Sequence, residues 1–280
     1  MPELNDLKLY AQGGQAQIYE YGSDKVLRVL RSPKDEALLQ YEITITKALG
    51  HSGVLVPEVF ESMLVDGRPA VVVQRINGIS MLDYIKRHPL QLRKQAGVLA
   101  SLHIAVSQNA VPGLKSGRER AHFLTERAHE LSPNTKAFVH GLIDVLPDGE
   151  ALCHGDFHPG NILKSAGGDY IIDWFGAYHG DILSDIAHTY LILKNVPRFP
   201  GVSAAAHRVM KITGGMIARE YLKTIRKLLP FETAQFSRWL VVKAAERSFY
   251  GMPAEKPLLM AFIEKCRQND AAPAMWVRWI

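Results

Sequence analysis

Along the chain, apolar and polar positions fall into two regimes. Up to residue 76 the pattern is mostly that of short strands, with apolar residues at a period of two and β-branched types common. Leu7–Tyr10 and Gln17–Tyr21 flank the turn-forming pair Gly13-Gly14, and Lys25–Leu30 alternates and is rich in Val and Leu. The clearest local signal is Val59–Val65, then Asp66-Gly67, then Pro69–Ile76. Asp-Gly between two such runs predicts a tight hairpin, because the turn needs positive φ. One segment breaks the strand pattern: Pro33–Leu49 carries Ala37, Leu38, Tyr41, Ile45, Ala48 and Leu49 at helical spacing, with Gly50 placed as a C-cap.

After Asn77-Gly78 the period lengthens. Pro89–Ala105 is amphipathic, with Leu92, Ala96, Leu99, Ala100 and His103 on one face. Residues 110–149 are more polar, with a helix expected over Pro133–Val145, and a compact strand-and-loop block follows at Ala151–Asp173. Beyond Asp181 the pattern predicts helices over Ile182–Leu193, Ala204–Leu228, Thr233–Arg247 and Pro257–Arg267. The expected architecture is α+β: a β lobe with one helix over residues 1–76, a connector near Arg75–Gly78, and a mostly helical lobe over 77–280.

Composition narrows the class. The chain has 280 residues, 47% hydrophobic and 22% charged, ordinary for a globular protein with one large core or two smaller ones. No run of eighteen apolar residues suggests a membrane span, and Met1–Asp6 has neither the basic nor the apolar region of a secretory signal. Cys153 and Cys266 are far apart and form no C-x-x-C unit, which fits a reducing cytoplasm, makes zinc or a disulfide framework unexpected, and leaves both as buried small hydrophobes.

The net charge of +5 is uneven: residues 181–280 hold 15 Lys/Arg against 8 Asp/Glu, a balance of +7, which leaves 18 against 20, or −2, for residues 1–180. The excess forms no basic run and reads as solvated helix faces, as in Arg219, Lys223, Arg226 and Lys227. Without interleaved aromatics it does not argue for a nucleic-acid partner, and with no apolar span no membrane partner is expected.

The chemistry concentrates in Ala151–Phe175. Asp156 lies in the run His154-Gly155-Asp156-Phe157-His158-Pro159-Gly160-Asn161, Asn161 follows five positions later, and Asp173 ends the apolar run Tyr170-Ile171-Ile172. Pro159 and Gly160 make a tight turn that lets one short loop present both Asp156 and Asn161. A carboxylate and two further hard oxygen donors are what phosphoryl transfer asks for: one group to orient and deprotonate a hydroxyl, the others to hold Mg²⁺ against phosphates.

These residues resemble the aminoglycoside phosphotransferase and choline kinase superfamily, whose signature is an H-G-D-x-x-x-x-N loop followed by I-D-W or I-D-x, here Ile172-Asp173-Trp174. The resemblance implies a two-lobed, protein-kinase-like fold using ATP and Mg²⁺, and it covers roughly residues 8–190. It places Gly13-Gly14 over the nucleotide, Glu42 on the first-lobe helix, and Gln74-Arg75-Ile76-Asn77-Gly78 at a hinge whose backbone binds adenine, so that Gln74 and Ile76 become binding residues. Leu99–His103 resembles the family's L-A-x-L-H helix, and Gly180-Asp181 through Ala187 its G-D-x-x-x-D-[IL]-A segment. Asp156 is then the catalytic base, with Asn161 and Asp173 as metal ligands. Arg28 stands where the family usually has the phosphate-binding Lys; Arg keeps the charge and forks onto phosphate and carboxylate together.

The histidines point elsewhere. His154 and His103 are expected to be structural, and Asp185 a backbone anchor for the loop. Trp174 and Phe175 are expected to pack. A protein substrate is unexpected, because Asp173 is followed almost at once by the helix near Asp181, with no A-P-E motif. The acceptor expected is a small hydroxylated molecule. Its charge is expected to be neutral or anionic, since a basic second half suits a polycation poorly. The alternatives are a cationic acceptor of aminoglycoside or choline type, and a non-catalytic nucleotide-binding regulator of the same fold. The oligomeric state has no sequence signal.

Overall fold

A computed structural model describes residues 4–278. Met1–Glu3, part of the segment judged to carry no secretory signal, lie outside the described residues, as do Trp279 and Ile280. The chain forms an N-terminal antiparallel sheet with a mostly helical C-terminal part, in two compact units: Met1–Lys86 with Pro159–Gly176, and Arg87–His158 with Ala177–Ile280.

The first unit is built on strands β1 (Leu9–Gln12), β2 (Ala16–Tyr21) and β3 (Lys25–Leu30), helix α1 (Glu36–Leu49), then β4 (Val59–Val65) and β5 (Arg68–Gln74). All neighbours pair antiparallel in the order β1-β2-β3-β5-β4. The Asp-Gly turn takes the positive φ the sequence demanded, 49° at Asp66 and 70° at Gly67. The first strand begins two residues later than expected and runs up to Gly13-Gly14, whose turn is closed by Gly13 N donating to Ala16 O at 2.9 Å.

Alternation along β3 decides where its side chains go. Leu27 and Val29 enter one apolar cluster with Tyr19, Val65, Ala70 and Val72. Leu30 enters another, formed with Leu39 and Ile43 of α1. Arg28 has the parity of Leu30, so the pleat turns it toward the face that α1 covers. Helix α1 is preceded by a 3₁₀ turn over Pro33–Asp35, where Ser32 Oγ accepts from Lys34 N, and it buries Leu39, Glu42, Ile43 and Thr46.

The chain continues through β6 (Gly78–Ser80) and α2 (Met81–Arg87), and returns to this unit with β8 (Ile162–Ser165) and β9 (Gly168–Ile171), the intervening β7 (Ala151–Cys153) belonging to the second unit. Strands β6, β8 and β9 form one sheet. A Cβ on Gly78 would meet Lys164 O at 2.2 Å, so this pairing needs glycine there. The compact units divide the chain elsewhere than after residue 76: the connector expected near Arg75–Gly78 ends where β6 begins, and β6 pairs with β8 in the segment 159–176 of the first unit.

The second unit holds α3 (Leu92–Ser107), α4 (Gly117–Arg127), α5 (Pro133–Val145), β7 and its partner β10 (Tyr178–Gly180), then α6 (Ile182–Lys194), α7 (Ala204–Leu228), α8 (Thr233–Tyr250) and α9 (Lys256–Gln268). Helix α3 packs on α7, and α6 on both α7 and α8. The expected face of α3 is buried, including His103. Helix α4 escaped the sequence pattern because its buried side is Gly117, Ala121 and Thr125, small residues that give no hydrophobic period. Both cysteines are free and buried, as expected. Among the described residues no helix is long and apolar enough to cross a membrane.

Candidate active site

In the first unit a pocket of about 430 Å³ collects most of the residues singled out from sequence. Its walls include Ile18, Val26, Val71, Val73, Leu163 and Ile172, and Gly13, Gly14, Arg28, Glu42, Gln74, Ile76 and Asp173 all line it. Neither glycine of the 13–14 pair has positive φ, and a Cβ on Gly14 would meet nothing within 4 Å. Neither φ nor packing within the chain therefore demands a glycine at 14.

The polar end of the pocket is one connected group. Arg28 Nη1 donates to Glu42 Oε2 at 2.6 Å, and Arg28 Nη2 lies 3.9 Å from Asp173 Oδ1. The other Glu42 oxygen accepts from Trp174 N at 3.2 Å. The Arg28 guanidinium also sits over Phe175, 4.7 Å from the ring centroid. Burial pushes the Glu42 carboxyl up and the negative Asp173 adds to this, while Arg28 and the Trp174 amide pull it down; the balance lies above the usual range. Arg28 thus hydrogen-bonds the buried Glu42 and lies within ion-pair distance of the more exposed Asp173.

Asp173 has φ 70°, a left-handed conformation that a non-glycine residue adopts at a cost and that clusters at functional sites. Ile172 N donates to Asn161 O at 3.0 Å, which ties the Asn161 backbone to the residue before Asp173. Asn161 is buried beside this strand end and is not among the pocket-lining residues. At the hinge, Gln74 N donates to Glu58 O and Arg75 N to Asp24 O, both at 2.8 Å, so two of its amides are already used.

The second unit holds the other part of the loop. Asp185, fully buried on α6, accepts from His154 N at 2.6 Å and from Gly155 N at 3.0 Å. His103 Nε2 contacts the same carboxylate at 3.0 Å, and His103 Nδ1 contacts Tyr221 Oη at 2.6 Å. Burial opposes the Asp185 charge, yet the His103 hydrogen bond and the neighbouring histidines hold the carboxyl well below its ordinary range. Gly155 has φ +79°, and Asp156 N donates to His154 Nδ1 at 3.2 Å, which makes that nitrogen the unprotonated one. Thr189 Oγ1 donates to Phe157 O at 2.8 Å. The loop is therefore held by its backbone, with His154, His103 and Asp185 as scaffold. Asp156 itself keeps a partly exposed side chain, with His158 Nε2 3.6 Å from Oδ2. Burial opposes its charge, but His158, His188 and His154 outweigh it and keep the carboxyl well below the usual range.

Sequence reasoning did not foresee two contributions. Trp174 and Phe175 are expected to pack, and the Trp174 ring is buried, but the Trp174 amide and the Phe175 ring also hold the Glu42–Arg28 pair. His158 lies against the Asp156 carboxylate, a contact whose sequence signal is its place two residues after Asp156. A buried charge cluster was missed too: Lys243 Nζ donates to Glu246 at 2.7 Å, and Arg120 lies 2.9 Å from the same carboxylate.

A family model described as the phosphotransferase enzyme family matches residues 6–211. Among solved structures, the aminoglycoside phosphotransferase APH(4)-Ia is 13% identical with a TM-score of 0.64, covering 97% of this chain and 93% of that one. An aminoglycoside-3'-phosphotransferase of type VIII is 16% identical with a TM-score of 0.64, covering 86% and 91%. The amicoumacin kinase hAmiN, solved with AMP-PNP, Ca²⁺ and Ami, is 16% identical with a TM-score of 0.58, covering 95% and 89%. At these identities the likeness speaks to the fold. No curated protein matches the chain. With a family model spanning residues 6–211 of its 280, the chain belongs to the phosphotransferase enzyme family.

Proposed function

We propose that the protein transfers the γ-phosphoryl group of Mg-ATP to a hydroxyl of a small molecule, with a neutral or anionic acceptor favoured. The observation that carries the reading is the Arg28–Glu42–Asp173 group at one end of an apolar-walled pocket. Such a pocket suits a flat base against aliphatic walls and a phosphate chain at the charged end. With the amides of Gln74 and Arg75 taken, the Ile76 amide is the donor we assign to the base. Gly13 and Gly14 leave room for phosphates, and Arg28, oriented by Glu42, grips them.

Asn161 and Asp173 supply hard oxygen donors, the chemistry Mg²⁺ prefers. Among the described residues no group of three or more His, Cys, Asp or Glu forms a metal cage. Bound at Asn161 and Asp173, Mg²⁺ supplies neutralisation of charge on the phosphates. Asp156 accepts the acceptor's hydroxyl proton, and its lowered pKa keeps it ionised through neutral pH. The scaffold of His154, Gly155 and Asp185 sets its direction.

The preference for a neutral or anionic acceptor rests on the +7 balance of residues 181–280. A cationic acceptor is the second reading, prompted by fold neighbours whose structures hold hygromycin B or kanamycin. Turnover against a panel of neutral polyols, acidic hydroxy compounds and kanamycin separates them. The first reading expects phosphorylation among the neutral or acidic members; turnover of kanamycin alone contradicts it.

A further inference from the structure

Outside the proposed catalytic residues, the second unit has a groove of about 850 Å³ between α6 and α7. Six cations line it, Lys194, Lys211, Arg219, Lys223, Arg226 and Lys227, and no carboxylate does. None of the six has an ion-pair partner among the described residues. Accumulating like charge in one place is unfavourable unless an anion offsets it.

Helix periodicity gives the groove a second property. Positions 209, 212, 216, 219, 223 and 226 of α7 recur at alternating spacings of three and four, so they form one stripe along the helix. Its first half is apolar and exposed: Val209 is 62%, Ile212 59% and Met216 42% accessible. Its second half is Arg219, Lys223 and Arg226, all exposed. At 1.5 Å per residue the cations from Lys211 to Lys227 span roughly 24 Å, longer than a small phosphorylated metabolite needs. Exposed aliphatic side chains gain nothing against a nucleic-acid backbone, and the one aromatic lining the groove, Tyr190, is buried and unavailable for base stacking. Aliphatic residues followed by cations on one helix face are what the boundary between acyl chains and anionic headgroups accepts.

We propose that this face of α7, with Lys194 of α6, docks the protein on an anionic phospholipid surface. The association is peripheral: Val209, Ile212 and Met216 enter the headgroup region, and the cations meet lipid phosphates. The proposal is independent of the acceptor's identity, and nucleotide affinity serves as its control.

The test is co-sedimentation of the full chain with vesicles of phosphatidylcholine alone and of phosphatidylcholine mixed with phosphatidylglycerol, at low and high salt. Binding is expected to the anionic vesicles only and to fall with salt. Each cation contributes roughly fivefold, so the double variant Lys223→Glu, Arg226→Glu is expected to lose more than tenfold in affinity. The double variant Ile212→Ser, Met216→Ser is expected to weaken binding with the cations intact. Both should keep the parent's nucleotide affinity, and a melting curve checks that substitution at these exposed positions leaves the fold intact. Equal binding to neutral vesicles, no binding to anionic ones at low salt, insensitivity to both variants, or tighter binding to a single-stranded oligonucleotide than to the vesicles each overturns the proposal.

Discussion

Asp185 anchors the start of the loop that carries Asp156. Its carboxylate takes two backbone amides and His103 while fully buried, so its charge is required by its neighbours rather than exposed for chemistry. Asparagine at this position presents one acceptor oxygen and turns an NH₂ toward a backbone N–H, leaving a buried donor unmatched. Asp185→Asn is therefore expected to destabilise the protein by about 3 kcal/mol, measured by denaturant unfolding. The pH dependence has a definite sign. The folded carboxyl lies below its unfolded value of 3.8, so its stabilisation is complete above that pH and declines as pH falls toward the folded value. The variant should lose this part of the acid dependence below about pH 4; an unchanged acid profile would remove Asp185 from the loop's support. Arg28 makes the complementary point in the first unit, where one guanidinium meets Glu42, lies near Asp173 and covers Phe175.

At the scale of elements, glycine marks where helices touch. A Cβ on Gly214 of α7 would meet Leu193 O of α6 at 2.3 Å, whereas one on Gly215 would meet nothing within 4 Å. Gly214→Ala is expected to destabilise by about 1–3 kcal/mol, because backbone must shift. Gly215→Ala is expected to be neutral or to stabilise by up to about 1 kcal/mol through helix propensity. Equal melting temperatures for the two variants would contradict the close α6–α7 crossing. Elements with an apolar period were legible in the sequence: the hairpin at Asp66-Gly67, the bounds of β3, and α7 from Ala204 to Leu228. Those resting on other physics were not. Helix α4 buries small residues, β6 pairs across a long sequence separation with Gly78 as its only sign, and β10 is three residues long. The motif residues were legible as types, but not the contacts the Trp174 amide and Phe175 ring make with Glu42 and Arg28.

For the whole molecule, the family match covers residues 6–211, while the charge excess lies largely in helices that run beyond it. The segment shared with the family carries the groups assigned to nucleotide and phosphoryl transfer. The remainder carries α8, α9 and most of the cationic face of α7. Acceptor choice and any surface docking are thus assigned mainly to the part that the shared motif does not describe. The central claim is that Asp156 acts as base in phosphoryl transfer from Mg-ATP. Its most direct test compares parent and Asp156→Ala for Mg-ATP-dependent phosphorylation of a pool of hydroxylated metabolites, with nucleotide affinity measured alongside. The variant is expected to bind nucleotide as the parent does and to lose turnover on the order of a hundredfold or more; equal turnover by the two proteins would remove Asp156 from the mechanism.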